Sequence, residues 1–202
     1  MHTVTDALKA KESEQKKPKK VSARKFQADI TAPNGVTFSF ANKILKVKGP
    51  NGEKEKILDY AYIKFDVTQD KILLKATRVT KREKRMMGSF KAHIKNMIRG
   101  ATEDIVYKLK ICSSHFPMQV TVQGDILTLK NFAGERFPKM QKIPKGVDVK
   151  VNGDIIEVKS GDKELAGKTA GLIERMTSRP QFDNRVFQDG LFIIEKDGKP
   201  IK

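Results

Sequence analysis

Tryptophan is absent from this chain, cysteine occurs once and histidine three times, and 24 Asp and Glu stand against 41 Lys and Arg in 202 residues. Each shortage excludes something. A single thiol, Cys112, cannot build an intramolecular disulfide framework and fits a reducing compartment; it reads as a small apolar filler in or beside a strand. One Cys with no His-rich spacing around His2, His93 and His115 supplies no zinc ligand set. No apolar run reaches 18 residues, so no transmembrane helix is expected, and residues 1–21 have no apolar core of a secretory signal. No G-x-S-x-G or comparable nucleophile motif is present. The eleven Phe and three Tyr fall mostly on apolar faces, which makes them core residues rather than stacking platforms.

What remains is positive charge. A formal net charge of +17 is a statement about partners rather than about fold. Nucleic acid is the leading partner class, with an anionic membrane surface behind it. Residues 1–24 are polar and basic, with Lys16, Lys17, Lys19 and Lys20 around Pro18. They cannot bury enough apolar surface to offset their ordering entropy and are expected to form a disordered arm that orders on nucleic acid.

Beyond the arm, period-2 alternation and turn dipeptides predict short strands. Val36-Thr-Phe-Ser-Phe-Ala turns at Ala41-Asn42 into Lys43-Ile-Leu-Lys-Val-Lys, and Pro50-Asn51-Gly52 leads to Glu53-Lys-Glu-Lys-Ile. Tyr62-Ile-Lys-Phe-Asp-Val turns at Gln69-Asp70 into Lys71-Ile-Leu-Leu-Lys-Ala. Thr80 and Glu83 form a candidate capping box ahead of a helix carrying Met87, Phe90, Ile94, Met97, Ile98 and Ala101 on one face. Gly100 is expected to end it. Lys91, Lys95 and Arg99 form a positive stripe on the other face.

The pattern then repeats. Ile105-Val-Tyr-Lys-Leu-Lys-Ile joins the halves. Asp125-Ile-Leu-Thr-Leu-Lys-Asn matches Lys43-Ile-Leu-Lys-Val-Lys-Gly at an offset of 82, and Gly153-Asp-Ile-Ile-Glu-Val matches Asp70-Lys-Ile-Leu-Leu-Lys at 83. Gly167 and Ile173-Glu-Arg-Met match Gly88 and Ile94-Lys-Asn-Met at 79. The second helix is expected to show Leu165, Thr169, Leu172, Ile173 and Met176 on its apolar face. Three blocks in one order argue an internal duplication: an α+β fold of two tandem similar units, each a small antiparallel sheet packed with one helix. The divisions expected are 1–24 for the arm, 25–102 for the first unit and 103–202 for the second.

One stretch imitates a nucleotide site. Gly161-Asp-Lys-Glu-Leu-Ala-Gly167-Lys168-Thr169 follows a strand, as a phosphate-binding loop does. The spacing is one residue too long, Asp162 and Glu164 put negative charge where phosphates would sit, and Gly167 lies inside the helical periodicity. It reads as a close approach of helix to sheet. The same residues define the rival reading, a nucleotide-dependent enzyme; a DNA-architectural protein is the other rival.

The stretch 179–196 carries the candidate site. Arg179 is expected to close a helix stopped by Pro180. Asp189-Gly190 reads as a turn, and 191–194 as an apolar strand. Between helix end and strand a polar loop presents Arg179 and Arg185 to an anionic partner. Asn184 and Gln188 lie on the same loop, and Lys168 and Arg175 lie on the helix before it. Phe187, Asp189 and Gly190 are expected to hold the loop in shape.

Five blocks, Ala92-His-Ile-Lys-Asn-Met-Ile-Arg-Gly, Tyr107-Lys-Leu-Lys-Ile, Ser114-His-Phe-Pro-Met, Asn131-Phe-Ala-Gly-Glu and Arg185 with Phe187-Gln-Asp-Gly-Leu-Phe-Ile, resemble ribosomal protein six of the large subunit, in its archaeal and eukaryotic branch. The resemblance covers residues 25–196. It implies a non-enzymatic structural protein without cofactor or small-molecule substrate, located on the cytoplasmic ribosome. Its implied partners are large-subunit rRNA near the base of the sarcin–ricin region, neighbouring ribosomal proteins and translational GTPases nearby. It places the main RNA contact on the C-terminal side of the second unit. The segment 179–184 is less basic than is usual in that family, and residues 1–24 are an addition to it.

Overall fold

The protein, here as a computed structural model, is described over residues 27–78, 80–183 and 185–201. The arm at 1–24 and Asn184 lie outside these. Six short strands come first: β1 (Gln27–Thr31), β2 (Thr37–Ala41), β3 (Ile44–Gly49), β4 (Gly52–Ile57), β5 (Ile63–Val67) and β6 (Lys71–Ala76). Helix α1 (Lys81–Thr102) follows. The series then recurs as β7 (Ile105–Cys112), β8 (Gln119–Gln123), β9 (Ile126–Lys130), β10 (Lys139–Lys142), β11 (Asp148–Asn152), β12 (Ile155–Ser160) and helix α2 (Lys163–Arg175). Two further strands, β13 (Gly190–Lys196) and β14 (Lys199–Pro200), have no counterpart in the first series among the described residues.

The architecture is α+β with two similar units. Within each unit the strands divide between two antiparallel sheets. The first unit holds β1-β6-β5 and β2-β3-β4; the second holds β11-β12-β7 and β10-β9-β8, with β13 and β14 added beyond β7. Each unit has its own core, one built on residues such as Leu45, Ile72 and Ile94, the other on Leu109, Ile156 and Ile173.

Strand register corrects the repeat alignment in one place. Ile72 and Leu74 of β6 are buried, as are Ile156 and Val158 of β12. The offset there is 84, not 83. A slip of one residue would have turned every side chain to the wrong face. The doublets Leu73-Leu74 and Ile155-Ile156 are apolar at both positions, so composition alone could not fix which member points inward. Sequence reading also missed β10, whose Lys-Met-Gln-Lys has no β-branched residue.

Helix α1 begins as expected. Thr80 Oγ1 accepts from Arg82 N–H, Glu83 accepts from Thr80 N–H, and the pair closes a capping box. The carboxyl of Glu83 is held below its usual range, chiefly by the Thr80 hydroxyl and against the opposing effect of burial. Gly100 does not end this helix, which runs on to Thr102. A Cβ at Gly100 would collide with the carbonyl oxygen of Gly161, so the glycine serves contact between units rather than termination. In α2 the buried face is formed by Ala166, Thr169, Ala170 and Ile173; Leu165, Leu172 and Met176 are only half-buried. The small alanines let the helix lie close to its sheet. Gly167 does the same, since a Cβ there would sit 3.2 Å from the Tyr107 hydroxyl on β7.

The seam between the units is flanked by polar contacts. Asn51 Nδ2 donates to Gly100 O at 3.3 Å and to Asp104 Oδ1 at 2.6 Å. Glu164 meets Lys56 and His93, and these hold its carboxyl below the usual range, with Lys56 the largest influence. Asp197, in a left-handed conformation at φ 56°, accepts from Arg99 at 2.6 Å and from Lys163 at 2.9 Å. Arg99 is therefore committed to the seam, and the positive stripe of α1 is reduced to Lys91 and Lys95.

Candidate nucleic-acid interface

Helix α2 stops at Arg175, well short of Pro180. Thr177 is the reason. Its hydroxyl donates to Glu174 O at 3.0 Å and accepts from Leu191 N–H at 3.0 Å, turning the chain and tying it to β13. Glu174 continues the tie, its carboxylate accepting from Ile193 N–H at 3.1 Å. Arg179 thus lies in the loop rather than on the helix, which corrects the expectation that it closes one.

Arg179 is also not held out into solvent. Its guanidinium stacks 4.8 Å from the Phe132 ring and 5.1 Å from Phe182, and it pairs with Glu135 at 3.3 Å. Lys139 shares both partners, at 4.5 Å from Phe132 and 3.3 Å from Glu135. The platform for this stack is a 3-10 turn at Phe132–Gly134, entered through Asn131 in a left-handed conformation. Asn131 Nδ2 donates to Pro117 O at 3.0 Å, which ties the turn to the neighbouring loop.

Asp189 and Gly190 do not form a turn. Gly190 is the first residue of β13 and has no positive φ; it is small because a Cβ would come within 3.2 Å of both Phe192 and Thr177. Asp189 instead crosses to the loop 113–117. Its carboxylate accepts from the N–H groups of Ser114 and His115 and pairs with His115 Nδ1 at 2.5 Å. The Ser114 amide is the main reason its carboxyl stays below the usual range, with His115 adding to it and burial opposing. Phe187 packs edge-on to Phe182 at 5.1 Å and lies 6.1 Å from His115. Sequence reasoning missed Ser114, His115, Phe132, Glu135 and Lys139 as parts of this assembly. Only the resemblance blocks that contain four of them pointed there.

Within this frame Arg185 is exposed and has no ion-pair partner among the described residues. Its N–H donates to Asp183 Oδ1 at 2.9 Å, and its carbonyl accepts from Gln188 Nε2 at 3.3 Å, so the backbone beneath it is fixed. Arg175 is exposed in the last turn of α2, near Phe192. Lys168 is exposed on another side of the helix, beside Lys142 and Lys145. The structure thus brings Arg179, Phe187, Gln188 and Arg185 together on one loop and leaves Lys168 apart.

The phosphate-loop imitation is resolved by the same geometry. Asp162 caps α2 by accepting from Glu164 N–H at 2.9 Å, so a carboxylate occupies the anion position. Gly167-Lys168-Thr169 falls a turn later, with Thr169 buried and bonded to Leu165 O at 2.8 Å. No cluster of three metal-ligating side chains exists among the described residues, and no helix among them is long and apolar enough to cross a membrane.

The family model described as ribosomal protein L6 matches residues 32–104. The large ribosomal subunit protein uL6 of Nanoarchaeum equitans is 41% identical over 181 residues, spanning 86% of this chain and 94% of that protein. Its counterpart in Methanosarcina mazei is 40% identical over 167 residues, covering 83% and 95%. That of Methanobrevibacter smithii is 37% identical over 177 residues, covering 88% and 99%.

Proposed function

We infer from the ribosomal protein L6 family, to which this chain belongs, that it is a structural constituent of the large ribosomal subunit in the cytoplasm and not an enzyme. We further propose that it binds large-subunit rRNA near the base of the sarcin–ricin region, supporting the site where translational GTPases bind. Neighbouring large-subunit proteins are its other partners. The duplication divides the chain at 102–103, and the second unit carries the RNA contact.

The observation that carries this reading is the construction of the 177–189 loop. It is pinned to β13 through Thr177, to the 113–117 loop through Asp189 and to the 3-10 turn through Arg179. A loop fixed at these points has little backbone entropy left to lose on binding. It holds out Arg185 and Gln188, with Arg175 behind them, as donors suited to phosphate and sugar oxygens. Asn184 belongs to the same proposed contact by position in the chain, and Lys168 to its margin. Arg179 acts mainly as the fastening, with Phe187, Asp189 and Gly190 supporting.

Binding of an rRNA fragment measured against salt tests this. Neutralisation of about four phosphates gives a slope of log K against log salt of roughly −3 to −4, by analogy with duplex DNA. Arg185→Ala makes it shallower by about 1. Lys91→Ala and Lys95→Ala on the first unit change it less. If only the first-unit variants flatten the slope, the RNA face lies on the other half of the chain. Duplex DNA competing as well as the rRNA fragment would favour the architectural reading instead.

A further inference from the structure

In the second unit the outer edge of β7 is covered by β13, which lays Leu191 and Ile193 into the core beside α2. The equivalent edge in the first unit belongs to β1, and among the described residues no strand pairs with it. Register equates the two edges residue by residue. Ala28 faces Leu74 as Tyr107 faces Val158, and Ile30 faces Ile72 as Leu109 faces Ile156. On the helices, Gly88 corresponds to Gly167, Lys91 to Ala170 and Lys95 to Glu174.

These substitutions have a spatial result. The Tyr107 side chain fills the space above Gly167, whereas nothing lies within 4 Å of a Cβ at Gly88. With Ala28 in place of the tyrosine, a groove of about 550 Å³ opens between β1 and α1, floored by Ala28, Met87 and Gly88 and flanked by Lys84 and Lys91 on the helix and by the single carboxylate Asp29 on the strand, a net positive lining. Lys84, Lys91 and Lys95 are exposed and have no ion-pair partner among the described residues.

We propose that this groove receives an extended, acidic segment of another polypeptide, added antiparallel to β1 as β13 is added to β7. An unpaired strand edge offers backbone donors and acceptors at strand spacing, which a peptide matches and a nucleic acid does not. The open space above Gly88 takes one large apolar side chain of the incoming strand, where the second unit supplies Tyr107 from within. The charge selects the partner. In the second unit Glu174 accepts from a backbone N–H of the added strand. The first unit has Lys95 there and Lys91 one turn earlier, a pair that calls for carboxylates. The chain's own residues 1–26 carry eight Lys and Arg against three Asp and Glu, the same sign as the groove, and are the poorer occupant. The proposal does not depend on the RNA contact, which lies on the second unit.

The test uses the full chain and an acetylated peptide of about ten residues, a length that spans one strand, alternating Glu with Val around a central Phe. The controls are the same peptide with Lys for Glu, and an oligouridylate of similar length. The acidic peptide is expected to bind and to slow amide exchange at 27–31. Ala28→Tyr, which supplies the side chain of the second unit, weakens binding by about tenfold while the thermal midpoint is kept. Lys91→Glu with Lys95→Glu, both surface changes, abolishes binding of the acidic peptide and admits the Lys peptide. Three results overturn the proposal: no peptide-dependent protection at those amides of 27–31 that face away from β6; oligouridylate rather than peptide losing affinity in these variants; or those same outward amides already protected in the free chain, which would place the chain's own arm in the groove.

Discussion

The two units share one topology and differ at one edge. In the first, β1 ends its sheet among the described residues; in the second, the equivalent β7 is an interior strand because β13 lies beyond it. The loop proposed above as the RNA contact depends on that addition. The loop 177–189 exists because the chain must travel from the end of α2 to the start of β13. Its fastenings at Thr177, Arg179 and Asp189 are to elements that the first unit either lacks or uses differently. Duplication supplied two copies of a fold, and the capacity to hold a basic loop rigidly came from what one copy added.

The severest test of this comparison is to weaken the added strand. Leu191 is fully buried, and Leu191→Ala should cost about 3 kcal/mol. Hydrogen exchange should report opening of the second unit with the first still protected. Equal loss of protection in both units would mean that they do not fold as separate cores. Next in size is Gly100→Ala. The new methyl meets the Gly161 carbonyl and should cost about 2 kcal/mol, seen as a lower denaturation midpoint for both units together.

A smaller effect comes from Asp189→Asn, about 1 kcal/mol through weaker bonds to the 113–117 loop. It should lower rRNA affinity without shifting the first unit. The carboxyl of Asp189 is lowered on folding, so its contribution is present above the unfolded value of about 3.9 and is lost as pH falls through the lower folded one. The wild type should therefore lose loop protection on acidification through that window, and the Asn variant should lose this dependence. Smallest is the glycine pair. Gly88→Ala meets open space in a helix interior and should gain about 0.5–1 kcal/mol, whereas Gly167→Ala must displace Tyr107 and should gain less or lose. Equal effects at the two positions would mean that Tyr107 does not occupy the space above Gly167.

Much of the fold could be read from the chain because its signals are local. Hairpins carry Asn-Lys, Gly-Asp or Asn-Gly between alternating strands, and α1 announces itself with Thr80, Glu83 and a 3.6 period. What escaped was non-local or ambiguous. The partner of Asp189 is 75 residues away, and nothing in Asp189-Gly190 separates a turn former from a carboxylate reaching across to another loop. The apolar period of α2 continues in the sequence to Met176, yet the helix stops where Thr177 finds a partner on β13. Arg179 stands out in the sequence, but its stack between Phe132 and Phe182 depends on Phe132, 47 positions before it, lying alongside.

The bare contact of Gly100 with Gly161 has a mechanical consequence. Where side chains separate two bodies, rotamer changes let them rock; here backbone meets backbone, and there is no rotamer to change. The ion pairs on either side, Arg99–Asp197–Lys163 and Lys56–Glu164–His93, then act as springs about a hard stop. Added salt should soften the springs while leaving the stop in place. The joint therefore resists compression between the units whatever the ionic strength, and resists being pulled open less strongly as salt rises.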